Sequence, residues 1–246
     1  MLSKARIKFI KSLQIKKYRK QEQCFIVQGA KSVRELIDSD FETLMVIGTP
    51  GFLSGLPGIR SKVFEATEAE LKTIGEFQSN DAGLAIARMK PDEPVRVREG
   101  EFALALDDIR DPGNLGTIIR TADWYGVRTI IASPETADLY NPKVITATMG
   151  SFTRVKVHYE DLSGFLNTSE KRIYGALLEG RSIYDESFDE GGIILIGNES
   201  RGISTELLPF VTDQITIPRF GHAESLNAAI ATAVILDNIK RKSHER

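Results

Sequence analysis

The chain has 246 residues, a formal net charge of −2 and a single cysteine, Cys24. That length suits one sizeable core with a smaller companion, no apolar run approaches the ~20 residues needed to cross a bilayer, and the basic N-terminus lacks the apolar stretch of a signal peptide. One cysteine excludes an intrachain disulfide, and His158, His222 and His244 are too scattered for a metal site, so a soluble cytoplasmic protein with no membrane association and no structural metal is expected.

Charge is unevenly placed. The first 34 residues hold ten Lys or Arg against one acidic residue, Glu22. Lys4, Lys8, Lys11, Lys16, Lys17, Arg19 and Lys20 form a candidate surface for RNA phosphates, which would gain from counterion release; a solvated basic helix is the alternative. Beyond it, Cys24 to Val27 and Thr43 to Ile47 read as strands, Ala30 to Ile37 and Glu68 to Phe77 as helices, and Gly83 to Arg88 as a further strand. Pro91, Pro94 and the charged run from Arg96 to Glu101 read as a connector, dividing the chain into residues 1–95 and 101–246.

The second part alternates strands and helices. Apolar runs place strands at Phe102 to Leu106, Thr129 to Ala132, Val155 to His158, Arg172 to Ala176, Ile193 to Ile196 and Gln214 to Ile217, the pattern of a parallel sheet covered on both faces. Three strand-to-loop junctions are polar. LDDIRDPGNLGTIIRTADWYGV (Leu106 to Val127) passes through a Pro-Gly-Asn turn into a helix whose Ile118, Ala122 and Tyr125 face the core, with Arg120 and Asp123 off that stripe and Gly126 closing it. IILIGNESRGIS (Ile193 to Ser204) carries Glu199 and Arg201 between Gly197 and Gly202. IPRFGHAESLNAAIATAVIL (Ile217 to Leu236) sets a polar loop, with Gly221 as its turn, against a thin helix of Ala228, Ala229, Ala231 and Ala233, for which Ser225 is the predicted N-cap. Ligands of open α/β sheets bind beyond the carboxyl ends of strands, so three such junctions suggest one shared site.

Two nucleotide-binding readings fail. GALLEGRS (Gly175 to Ser182) nearly spells a phosphate-binding loop, but Arg181 replaces the lysine and no helix pattern follows to receive a phosphate. No G-x-G occurs anywhere, so a dinucleotide-type methyltransferase fold is not indicated.

In this order and at these separations, the three segments resemble the three motifs of the SpoU (TrmH-like) branch of the SPOUT RNA methyltransferases, and the residues ahead of them resemble the RNA-binding domain of ribosomal RNA members. The resemblance covers nearly the whole chain. It implies a SPOUT-type parallel sheet with a C-terminal trefoil knot, preceded by a small α/β RNA-binding domain. It also implies S-adenosylmethionine as methyl donor, an RNA ribose 2′-hydroxyl as acceptor, and a homodimer with the active site near the interface. The knot comes from the family alone, since threading runs against the usual rule for folds.

Carried over by motif, Arg120 matches the arginine proposed in the family as activator of the acceptor oxygen. Because arginine stays protonated, its physical role is to grip an adjacent phosphate and stabilise charge developing on that oxygen. Asn114 orients the ribose or its phosphate, with a plain turn asparagine as the alternative. Glu199 shapes its loop by accepting backbone hydrogen bonds, and Ser225 and Asn227 match the polar pair of the third motif. Leu178, Gly180, Ile196, Gly197, Asn198, Ile217, Ser225 and Leu226 are the implied cofactor contacts, several through backbone. His222 and Glu224 are set aside as incidental loop residues. Thr146, Gln28 and Arg219 depart from the family pattern and bear on specificity. The leading expectation is ribosomal RNA methylation; transfer-RNA methylation and a catalytically silent RNA-binding assembly factor are the alternatives.

Overall fold

The computed structural model describes residues 2–56, 58, 61–75, 82–188 and 191–244. The chain folds into two compact units, the first Met1–Pro91 with Asp138–Thr153, the second Asp92–Ala137 with Arg154–Arg246.

In the first unit, helices α1 (Lys4–Ser12) and α2 (Lys16–Glu22) precede β1 (Cys24–Gln28), α3 (Ala30–Ile37), β2 (Thr43–Gly48), α4 (Pro50–Ser54), β3 (Lys62–Glu65), α5 (Glu68–Ile74) and β4 (Gly83–Arg88). The four strands pair in the order β1-β4-β2-β3. Alternation along β1 divides the core. Cys24 and Ile26 join Ile10, Leu13, Leu71 and Ile74 in one cluster, while Phe25 packs against Phe41, Tyr140 and Phe152. The later segment, with α7 (Pro142–Ala147), thus contributes aromatic side chains to the first unit's core. The helix predicted from Glu68 closes at Ile74 against Gly75, and its predicted end at Phe77 lies outside the described residues.

Arg19 requires a correction. The basic run places it on the phosphate-binding surface, yet its side chain is 2% exposed: its Nη2 lies 2.7 Å from Asp138 Oδ2, and its Nη1 donates to the carbonyls of Leu13 and Gln14 at 3.1 and 2.8 Å. A planar guanidinium with several donors fits this task of closing the turn between α1 and α2 and tying it to Asp138. Lys4, Lys8, Lys16, Lys17 and Lys20 remain exposed. Arg19→Ala should leave a mostly buried carboxylate and two carbonyls without their donor. The expected cost is about 3 kcal/mol, toward the low end for breaking a buried pair because Asp138 keeps some solvent contact, and thermal unfolding read by circular dichroism checks it.

The second unit holds β5 (Phe102–Leu106), α6 (Pro112–Trp124), β6 (Thr129–Ala132), β7 (Lys156–Tyr159), α8 (Leu162–Asn167), β8 (Ile173–Ser182), β9 (Gly192–Ile196), β10 (Asp213–Thr216) and α9 (Ala228–His244). Its six-stranded sheet runs β10-β8-β9-β5-β6-β7, every pairing parallel. Ala103, Leu104, Ala105 and Leu106 are all fully buried, as a strand covered on both faces requires. β8 continues past its predicted end at Ala176 to Ser182. Between consecutive residues of β10 the partner on β8 jumps from Gly175 to Arg181, so Ala176 to Gly180 form an excursion at the edge of the sheet. The near-P-loop segment is therefore strand.

Candidate active site

The site grows from the ends of β5 and β9, adjacent parallel strands whose following loops necessarily lie side by side. After β5, Asp107 is buried and its Oδ2 accepts the backbone N–H of Ser204 at 2.7 Å, joining the first loop to the second. Asp111 caps α6 by accepting the Asn114 N–H at 2.8 Å, with Pro112 in the first helical turn. After β9, Gly197 has no space for a side chain: a Cβ would stand 2.2 Å from the backbone carbon of Gly202. The loop closes on itself through Asn198 N to Gly202 O (3.0 Å) and Gly202 N to Asn198 O (2.8 Å), with Gly202 at φ +70°.

The side chains of the three motifs meet in one hydrogen-bonded chain. Asn227 Oδ1 accepts the N–H groups of Ala229 and Ile230 at 3.0 and 3.3 Å. Since only its oxygen can accept from backbone donors, its Nδ2 is the atom facing Asn114 Oδ1, at 2.9 Å. Asn114 Nδ2 is then directed to Glu199 Oε1 at 2.5 Å. The amide orientations are thus fixed from the helix terminus outward. Asn114 retains one N–H and one lone pair for a ligand, and Glu199 its second oxygen.

Two expected local roles move by one or two residues. The cap of α9 is Asn227, not Ser225, which is exposed; the helix begins where a side-chain oxygen meets its free N–H groups. The acceptor that shapes the second loop is Asn198, whose Oδ1 receives Ser200 N and Arg201 N at 2.9 and 3.3 Å, whereas Glu199 receives the Asn114 amide. Asn198 Nδ2 also donates to Asp108 O at 2.8 Å.

Arg120 stands apart from this chain. Six residues beyond Asn114, about 9 Å along the helix axis, it is exposed on the face of α6 that also presents Thr117 and Trp124. Among the described residues it has no hydrogen bond or ion pair, so its full guanidinium is available. Of the implied cofactor contacts, Ile196 is buried, Ile217 half-buried, and Leu178 and Leu226 are 75% and 45% exposed. The Leu178 carbonyl accepts Thr216 Oγ1 at 3.0 Å, bringing the β8 excursion to the start of the third motif. At Gly180 a Cβ would lie 2.7 Å from Gln214 O.

Sequence reasoning passed over Asp107 and Asp108. Two consecutive carboxylates directly after an apolar strand were the available signal. Asp108 is 8% exposed, sits at φ +58°, and lies 2.5 Å from Arg110 Nε; that hydrogen bond is the main reason the Arg110 guanidinium is held above its ordinary pKa. Among the described residues no group of His, Cys, Asp or Glu is arranged to hold a metal ion, and no helix is long and apolar enough to cross a membrane.

The SpoU rRNA Methylase family model matches residues 101–237. The chain belongs to that family. The SpoU match begins with β5 and takes in all three motif loops. A second model, the MRM3-like substrate binding domain, matches residues 4–85. Among curated proteins, the 23S rRNA (guanosine(2553)-2′-O)-methyltransferase RlmP of Bacillus subtilis is 28% identical over 96% of both chains. A solved TrmH-family structure from Porphyromonas gingivalis is 37% identical, with a TM-score of 0.88, covering 98% of this chain and 99% of its own. The AdoMet-bound rRNA methyltransferase from Sinorhizobium meliloti is 29% identical with a TM-score of 0.88, covering 98% of this chain and 96% of its own.

Proposed function

We propose that this SpoU-family chain transfers a methyl group from S-adenosylmethionine to a ribose 2′-hydroxyl of ribosomal RNA, with residues 101–246 performing the transfer and residues 1–95 holding the RNA. The observation that carries this reading is the chain Glu199–Asn114–Asn227, in which one side chain from each motif is fixed by the next. A protein that kept the fold only to bind RNA would have no need to hold three polar groups in one arrangement, which counts against the silent assembly factor. Agreement over nearly full length with an enzyme named for 23S rRNA favours ribosomal over transfer RNA.

The residues present suit the cofactor. A bare backbone at Gly197, the folded-back loop Asn198 to Gly202, and the exposed Leu178 and Leu226 offer amides and apolar surface at strand ends, the materials from which an adenosine and an amino-acid moiety are held. S-adenosylmethionine supplies an already activated methyl group with a neutral thioether as leaving group, so the protein is left with alignment and with the acceptor hydroxyl. Asn114, its amide fixed by Glu199 and Asn227, presents its remaining donor and acceptor to the ribose or its phosphate. Arg120 grips an adjacent phosphate and stabilises the negative charge that develops on the hydroxyl oxygen.

Arg120 and the Asn114 chain lie apart on one helix, and this supports a homodimer in which a second copy brings the two sets of groups together. Exposed Trp124, Phe220 and Ile230 are apolar surface that such an interface would cover. The trefoil knot belongs to the same reading and rests on the family resemblance. A cytoplasmic location belongs to it as well.

Calorimetric titration with S-adenosylmethionine, with ATP as control, tests the cofactor assignment: saturable binding of the first alone is expected, and binding of neither overturns it. Replacing Lys16, Lys17 and Lys20 with Ala should weaken ribosomal RNA binding and flatten its dependence on log salt by up to about 0.7 to 0.9 for each phosphate no longer neutralised. An unchanged slope removes α2 from the RNA surface.

A further inference from the structure

Between the first and second motif loops, the Asp108 carboxylate carries two guanidiniums. Arg110 Nε is 2.5 Å from its Oδ1, and Arg201 Nη1 is at ion-pair distance, 3.8 Å, from its Oδ2. Neither arginine is consumed by the contact. Their side chains are 58% and 71% exposed, against 12% for Asp108. Each guanidinium has further N–H donors facing solvent, and the three groups together keep one net positive charge.

The anchor itself is rigid. Asp108 N donates to Ser133 Oγ at 3.0 Å, its carbonyl accepts Asn198 Nδ2, and the next residue's N–H goes to Thr136 Oγ1 at 3.2 Å. Thr136 Oγ1 in turn reaches the Leu106 carbonyl. The left-handed backbone at Asp108 is one that Asp and Asn tolerate and most side chains do not. The carboxylate is thereby held in one place while it pairs with two exposed cations from different loops. Arg201 is also tied at its own backbone, through Asn198 Oδ1, and lies two residues from Glu199.

We propose that Arg110 and Arg201 form a fork that takes a backbone phosphate of the RNA substrate at the mouth of the active site, and that Asp108 is the positioning residue that sets the fork. This rests on the methyltransferase reading above and adds to it the residues that place the acceptor strand. Paired guanidiniums suit a phosphodiester, whose oxygens accept parallel N–H bonds. Pairing with Asp108 restrains both guanidiniums, so less rotamer freedom is lost when the phosphate arrives.

The test uses the full-length protein and large-subunit ribosomal RNA transcribed in vitro. Arg110→Ala and Arg201→Ala should each weaken RNA binding about tenfold and reduce the slope of log affinity against log salt by about 0.7. Asp108→Asn preserves the backbone conformation and removes the anchor's charge. It should lower kcat/KM for RNA about tenfold without weakening RNA binding at low salt, and should have no further effect in the Arg110→Ala, Arg201→Ala background. Salt slopes that stay at the parent value in both alanine variants overturn the fork. A loss in Asp108→Asn that persists without the arginines overturns the positioning role and leaves Asp108 a structural residue. Calorimetric S-adenosylmethionine binding should be unchanged throughout. If the parent protein transfers no methyl group, the function reading falls while the salt slopes still decide the fork.

Discussion

Arg120→Ala is expected to lower methyl transfer by about 10² to 10³-fold, the usual loss when a donor aimed at developing charge is removed, while S-adenosylmethionine affinity stays within about twofold. The separation of effects follows from geometry. Arg120 projects from the exposed face of α6, two turns away from the Asn114 amide and without an internal partner among the described residues, so its removal leaves no buried group unsatisfied and should not disturb the fold. Arg120→Lys keeps the charge but loses the planar fork, and should recover only part of the activity. Single-turnover transfer measured beside calorimetry checks both variants; a parallel loss of cofactor binding would refute the assigned role.

Gly197→Ala should abolish productive cofactor binding and destabilise the second unit by about 3 kcal/mol or more. The reason is space. A methyl group at this position meets the backbone of Gly202 and Ile203 at 2.2 to 2.4 Å, and the loop cannot retreat without breaking the reciprocal bonds between Asn198 and Gly202. Loss of those bonds would release Asn198 from Asp108 and Glu199 from Asn114, so one methyl group reaches both the cofactor loop and the acceptor site. A fall in the unfolding midpoint of about 6 to 12 °C is expected for a chain of this size, together with at least tenfold weaker S-adenosylmethionine binding. A stable variant with parental affinity would mean that the loop opens freely and that Gly197 is not a site residue.

How far the sequence discloses this molecule depends on what sets each feature. β5 and β6 lie where their apolar runs predicted, because burial on both faces leaves an unbroken hydrophobic signature. β3 left no such trace: Lys62 and Glu65 are exposed and Val63 is 43% exposed, so its strand form comes from pairing with β2 rather than from its own pattern. The extension of β8 through Glu179, Gly180 and Arg181 was hidden for the same reason. Site residues divide along a similar line. Asn114, Glu199 and Asn227 could be selected from motifs, but their mutual bonding joins positions 85 and 113 residues apart and appears only in the folded chain. Ser225 and Asn227 are both competent caps by residue type; the Asn114 contact is what holds Asn227 in place. Arg19 carried the strongest false signal. A basic residue in a basic helix reads as surface until Asp138, more than a hundred residues later, is seen beside it.

Whether this chain methylates a ribose of ribosomal RNA is decided by incubating the purified protein with unmethylated ribosomal RNA and S-adenosylmethionine, then digesting the RNA and identifying the modified nucleoside by mass spectrometry. A single 2′-O-methylated ribose, present only with both protein and cofactor, is the predicted result. A methyl group found on a base, or no methylation of ribosomal RNA alongside ribose methylation of transfer RNA, would contradict it.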